Sequence, residues 1–215
     1  MHLVIINGSP RLVSTSNSEL IINSFLEGFC NSDNSYELFS VANKRTWEII
    51  KTAVETNFNI IIVLPLYSES VPSLLLEFLE SLSDVEFDDK RKISFILHSG
   101  FIEACQRRCC EMFLEKLPEH IGGNFAGTLS KGNTFPFWLY PQEKLKALLE
   151  DFEKMGIYYS ENRNFFGKEV GKINDAEYIS ESEAKIINRL IKFALYDFAE
   201  KFNTETDLMS APYEK

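Results

Sequence analysis

The chain has 215 residues, 45% of them hydrophobic and 25% charged, and its 32 acidic against 22 basic residues give a net charge of −10. That size and usage suit one globular domain with a substantial core, and the acidity argues against a nucleic-acid partner, because a polyanion would be repelled. No apolar run is long enough to span a bilayer and the start lacks the basic-then-apolar layout of a signal peptide, so the expectation is a cytoplasmic protein with no membrane partner.

The chain opens on four apolar residues, Leu3 to Ile6, which predict a strand covered on both faces. Gly8 and Pro10 then break the run. Ser16 and Glu19 have the spacing of a capping box, so a helix is expected over about Asn17 to Phe29, its positive end facing the turn. Ser9, Ser14, Thr15, Ser16, Asn17 and Ser18 offer short donors there and Arg11 a planar charged fork, a set that suits a phosphate. The loop has neither the Gly-Lys-Ser/Thr of a Walker loop nor a Gly-x-Gly-x-x-Gly fingerprint. The same residues also suit an ordinary capped turn between strand and helix.

An edge strand follows at Tyr36 to Val41, then a helix with Trp47, Ile50 and Val54 at helical spacing. Asn59 to Leu64 is the strongest strand and ends at Pro65; the next helix carries Leu75, Phe78, Leu79 and Leu82 on one face. Lys90 to Lys92 is a short basic cluster expected to be solvated, ahead of a fourth strand at Ile93 to Leu97. Cys105, Cys109 and Cys110 share the rhythm of Phe113, Leu114 and Leu117 and are expected on the buried face of a helix ending near Pro118. With no ligand spacing among the cysteines and histidines, no metal site is expected. Gly122 to Leu129 forms a weaker fifth strand, and a helix with Leu145, Leu148, Leu149 and Phe152 closes the sheet. Gly156 to Ser180 reads as irregular, and a last amphipathic helix carries Ile187, Leu190, Ile191, Ala194, Leu195, Phe198 and Phe202.

Strand and helix alternation predicts an α/β fold with a parallel sheet and helices on both faces. The whole chain, 1–215, reads as a single domain with a core over 1–155 and a C-terminal helical elaboration over 156–215. Ligands in such sheets sit outside the carboxyl ends of the strands. Besides the first loop, two further strand ends look specialised there: Pro65 to Pro72, with Tyr67 as an aromatic surface, and His98 to Phe101, with Gly100 for close approach. Tyr67 alone would be a half-buried aromatic, and His98 reads as a hydrogen-bonded strand-end residue rather than a proton donor. The three loops together outline one pocket for a flat, polar-edged ring.

Gly8-Ser-Pro-Arg11 with its downstream Ser-Asn-Ser, Pro65-Leu-Tyr67, and Ser99-Gly-Phe-Ile-Glu103 resemble the flavodoxin-like NAD(P)H-dependent FMN reductase and quinone reductase families over roughly the first 130 residues. The resemblance implies a flavodoxin-like three-layer sandwich with a five-stranded parallel sheet in order 2-1-3-4-5. FMN would have its phosphate held by Ser9, Arg11, Ser16, Asn17 and Ser18. Pro65, Leu66, Tyr67 and Ser68 would line the ribityl chain and ring, and Ser99, Gly100 and Phe101 the ring's other edge. It further implies NADH or NADPH as donor, a small acceptor such as a quinone, nitro compound or free flavin, a homodimer, and redox chemistry carried by the flavin, with no catalytic acid or base assigned and backbone amides of the Tyr67 and Gly100 loops facing charge near N1 of the ring. The Arg11 to Ser16 spacing is longer than in the commonest such loops, and the cysteine cluster of iron–sulfur relatives is missing, so a flavin-only protein is expected. Two other classes stand beside this one: a flavodoxin-like electron carrier and a flavin-free scaffold or sensor. The aromatic run Phe135, Phe137, Trp138 and Tyr140 is expected to cover the flavin site or a partner subunit, with ordinary packing as its alternative.

Overall fold

The computed structural model describes residues 1–11, 16–31, 33–83, 85–86, 88–134, 137, 141–173 and 175–201, with the backbone alone at 194, 195 and 198–201. It divides into two compact units, Met1–Glu177 and Tyr178–Lys215.

In the first unit the strands β1 (His2–Asn7), β2 (Ser35–Ser40), β3 (Asn59–Pro65), β4 (Lys92–His98) and β5 (Asn124–Lys131) form one sheet in the order β2-β1-β3-β4-β5. Every pairing is parallel. The helices are α1 (Asn17–Phe29), α2 (Trp47–Thr56), α3 (Ser73–Glu80), α4 (Arg108–His120), α5 (Gln142–Asn162) and α6 (Lys168–Ile173). The apolar runs are explained by burial on both sheet faces. Val4, Ile6, Ile60, Ile62, Leu64, Phe95 and Leu97 pack with side chains of α2, α3 and α4. Their neighbours Leu3, Ile5, Ile61, Val63, Ile96 and Leu129 pack with α1 and α5. The period-two alternation of a strand sends successive residues to opposite layers, so a strand lying between two helical layers is apolar throughout.

Several expectations are corrected. The segment from Gly156 onward is not irregular: α5 runs unbroken to Asn162 and α6 follows. Gly156 is a contact, not a terminator, since a Cβ placed there would lie 2.0 Å from the Phe25 carbonyl oxygen, and one on Gly28 would lie 1.9 Å from that of Glu153. The paired glycines let α1 and α5 touch backbone to backbone. Arg91 is not solvated but buried, its guanidinium donating to the carbonyls of Glu86, Gly122 and Glu55. Of the three helix cysteines only Cys110 is buried, and burial pushes its thiol up to about 12; Cys105 is half-buried and Cys109 exposed.

The second unit contains α7 (Glu181–Lys201). Its start is a true capping box: Ser180 N and Oγ donate to Glu183 Oε2 at 2.8 and 2.7 Å, and Glu183 N donates back to Ser180 Oγ at 3.3 Å. Those bonds hold the Glu183 carboxyl below the usual carboxylate range. Ile186, Leu190, Ile191, Phe193 and Tyr196 of this helix are exposed. The expectations for the Ala194, Leu195 and Phe198 side chains and for Phe202 lie outside the described residues.

Candidate functional site

The sheet order makes β1, β3 and β4 neighbours, so the loops leaving their carboxyl ends share one edge. The first loop is pinned from below. Gly8 N donates to Val63 O at 2.7 Å. The buried Asn7 side chain, which the sequence reading passed over, accepts Ser9 N at 3.0 Å and donates to Glu19 Oε2 at 3.0 Å. A polar residue closing an apolar strand was the available signal. Because Glu19 is held by Asn7, the capping box expected with Ser16 does not form: Ser16 is the N-cap of α1 yet its side chain caps nothing. Its Oγ is buried and finds no hydrogen-bond partner among the described residues. A buried hydroxyl without a partner is costly, and here it lies at the positive end of a helix, where an anion oxygen would satisfy it.

The other phosphate candidates divide. Ser9 is buried, with its Oγ accepting Arg11 N at 3.3 Å, and Arg11 is exposed. Asn17 Nδ2 donates to Thr134 O at 2.7 Å, and the buried Ser18 Oγ bonds His98 Nε2 at 2.8 Å, so both of these side chains tie α1 to the sheet edge. Ser14 and Thr15 lie outside the described residues.

His98 confirms its structural reading. Its Nδ1 lies 3.0 Å from Thr134 Oγ1, which itself donates to Ser99 O at 3.0 Å. Thr134 therefore accepts from Nδ1–H, which leaves Nε2 as the acceptor of the Ser18 hydroxyl proton. Complete burial lowers its pKa from 6.5 to about 3, and the ring is neutral at pH 7.

In the second loop, Leu66 N donates to His98 O at 2.7 Å, and Tyr67 and Ser70 exchange backbone bonds of 2.9 and 3.0 Å. Ser68 and Glu69 between them have φ of 48° and 62°. Two consecutive left-handed residues make a tight primed turn, one that normally selects Gly or Asn. This turn presents Tyr67, which is 40% exposed. Replacing Glu69 by Gly would relieve about 1–2 kcal/mol of left-handed strain and give back about 0.4–1 kcal/mol through the freer unfolded chain. The expected result is a small rise in the urea midpoint; a fall would show that the Glu69 side chain makes a stabilising contact of its own.

The third loop is stitched to the end of β5. Ser99 N donates to Lys131 O at 2.9 Å, Thr134 N donates to Ser99 O at 2.9 Å, and Phe101 N donates to Ser99 Oγ at 3.1 Å. Gly100 and Phe101 stand exposed. The amides of Leu66, Tyr67, Ser70 and Phe101 are thus already used within the loops. That narrows the expected donors toward a ring to the backbone of Ser68, Glu69 and Gly100. Of the aromatic segment, Phe137 is buried in the core with Phe152 and Phe165; Phe135, Trp138 and Tyr140 lie outside the described residues.

No protein-family model and no curated protein sequence matches the chain. Solved structures do. An FMN-dependent NADH-azoreductase from Bacillus anthracis in complex with FMN is 16% identical with a TM-score of 0.56, over 74% of this chain and 100% of that one. An NADH:FMN oxidoreductase in its apo form is 13% identical with a TM-score of 0.53, over 84% and 97%. Oxidised flavodoxin 1 from Bacillus cereus is 13% identical with a TM-score of 0.52, over 75% and 98%. The fold is flavodoxin-like. At these identities the likeness concerns architecture, and in a flavodoxin-like sheet the switch between β1 and β3 falls between the first two loops described above.

Proposed function

We propose that this chain binds FMN at the β1, β3 and β4 loops and acts as an NAD(P)H-dependent oxidoreductase on a small acceptor such as a quinone, a nitro compound or free flavin. The observation that carries the reading is the Ser16 hydroxyl at the start of α1, buried and without a hydrogen-bond partner among the described residues. It calls for an acceptor or donor from outside the described chain, and a terminal phosphate supplies one. The likeness to enzymes whose names include FMN and NADH supports the same choice.

Bound FMN would supply the redox centre, passing two electrons from reduced nicotinamide to the acceptor. The residues do the positioning. Ser9, Arg11 and Ser16 would hold the phosphate, with Asn17 and Ser18 contributing backbone at the first turn of α1. Pro65 to Ser68 would carry the ribityl chain and one edge of the ring, and Ser99, Gly100 and Phe101 the other. His98, neutral and bonded on both ring nitrogens, takes no proton role. It fixes the spacing of α1, β4 and the Thr134 turn beneath the site.

The competing electron-carrier reading is favoured by the likeness to a flavodoxin and by the acidic net charge of −10, which suits docking on basic partners. The Gly8-Ser-Pro-Arg11 loop and the tight Tyr67–Ser70 turn favour the reductase. The proposal includes cytoplasmic action and a homodimer, the latter supported by exposed Ile186, Leu190 and Phe193. No helix among the described residues is long and apolar enough to cross a membrane. Replacing Arg11 by Ala is expected to weaken FMN binding by about 1.5–3 kcal/mol, the scale of a charge-assisted hydrogen bond. Titration of FMN fluorescence checks it, and unchanged affinity in a folded variant would remove Arg11 from the phosphate site.

A further inference from the structure

Arg107 is the largest fully buried side chain of the described residues, 1% exposed. It follows the third loop in a 3-10 turn at Ala104–Arg107. Its Nε donates to Ser130 Oγ at 2.9 Å, its Nη2 to Asp175 Oδ2 at 2.7 Å, and its Nη1 reaches the carbonyls of Phe101 and Glu103 at 3.4 and 3.3 Å. Asp175 Oδ2 also accepts Gly132 N at 2.6 Å, and its other oxygen lies 3.4 Å from Lys131 Nζ. These parts converge on Gly132, where a Cβ would sit 2.3 Å from Phe101 O, 2.5 Å from Arg107 Nη1 and 3.0 Å from Asp175 Oδ2. Asp175 is itself held by its own segment, for Ala104 N donates to Ala176 O at 2.9 Å, Cys105 N donates to Glu177 O at 3.3 Å, and Arg108 pairs with Glu177.

An ion pair buried this deeply gains little stability over apolar side chains of equal volume. What it supplies is geometry. A guanidinium offers a rigid fork of donors that no apolar residue offers, and here one side of the fork draws in the carbonyls of the loop while the other is anchored by Asp175. We propose that the Arg107–Asp175 pair is a positioning device for the Ser99–Glu103 loop and sets how that loop meets a flavin ring; this rests on the FMN reading above. Pulling the two carbonyls inward is what leaves Gly100 and Phe101 facing outward.

The test compares the full chain with Asp175→Ala, Asp175→Asn and, as a variant destabilised in a helix that carries no residue of the site, Ile50→Ala in the buried face of α2, by FMN affinity, flavin midpoint potential and thermal midpoint. Asp175→Ala is expected to weaken FMN by about tenfold or more, on the scale of a lost charged hydrogen bond, and to shift the potential. Asp175→Asn, which keeps an acceptor for Gly132 N, should recover most of both and remains testable if the Ala variant does not fold. Ile50→Ala should lower the thermal midpoint, as removal of a buried side chain does, and leave affinity and potential unchanged. If the Asp175 variants lose stability but keep wild-type affinity and potential, the pair is only structural and the inference is overturned. If the wild-type chain takes up no FMN, the reading of the site and this inference fall together.

Discussion

Gly156→Ala is expected to destabilise the protein by about 3 kcal/mol, the upper range for overpacking a closely fitted contact, and to lower Tm by roughly 6–12 °C for a chain of this size. A new methyl group would stand 2.0 Å from the Phe25 carbonyl oxygen and 2.8 Å from the Phe29 nitrogen. Both are backbone atoms of α1, and no rotamer change can move them. The helices would have to separate, loosening Phe25, Phe29, Phe152 and Tyr159, which share that core layer, and straining the 2.7 Å bond from Ser24 Oγ to Leu149 O. Gly171 in α6 is the natural control. Nothing among the described residues lies within 4 Å of a Cβ there, so Gly171→Ala should be neutral or gain up to about 1 kcal/mol of helix propensity. Thermal or urea unfolding of the two variants checks the pair of expectations, and equal effects would contradict the close crossing of α1 and α5.

Acidification is the second large effect. His98 has its pKa lowered by burial from 6.5 to about 3. Between those values the unfolded chain binds a proton at this residue and the folded chain does not, so stability rises with pH across the window and is lost as pH falls. The loss approaches about 1.4 kcal/mol per pH unit from this one group, and comes to roughly 2 kcal/mol between pH 6.5, where the unfolded histidine is half protonated, and pH 4.5. Carboxylates titrate in the lower part of the window, and a His98→Asn variant separates their contribution. Its stability should fall with a slope shallower by one proton between pH 6 and about 4, measured by urea unfolding at each pH. Parallel curves would mean that His98 is solvated in the folded state.

The sheet was legible because burial on both faces writes itself as uniform apolar runs, and Leu3–Ile6, Ile60–Leu64 and Ile93–Leu97 fall within β1, β3 and β4. The site loops were legible as breaks at the ends of those runs. What the sequence concealed was competition for partners. Ser16-x-x-Glu19 and Ser180-x-x-Glu183 are the same motif, yet only the second forms a capping box, because the Asn7 amide takes Glu19. No local pattern records that. Gly156 was read as the first residue of an irregular segment, since its reason lies on another helix. Arg91 looked solvated because two of the carbonyls that receive it, those of Glu55 and Gly122, come from distant segments. The left-handed Ser68 and Glu69 carry no glycine or asparagine to announce the turn.

The most direct test of the proposed activity is a stopped-flow experiment in which the full chain, loaded with FMN, is mixed with NADH, and separately with NADPH, in the absence of oxygen. Rapid loss of flavin absorbance with at least one nicotinamide, in a single two-electron phase and reversed by a quinone, is the expected result. A flavin that stays oxidised with both nicotinamides and is reduced only through a partner reductase would contradict it and make the protein an electron carrier.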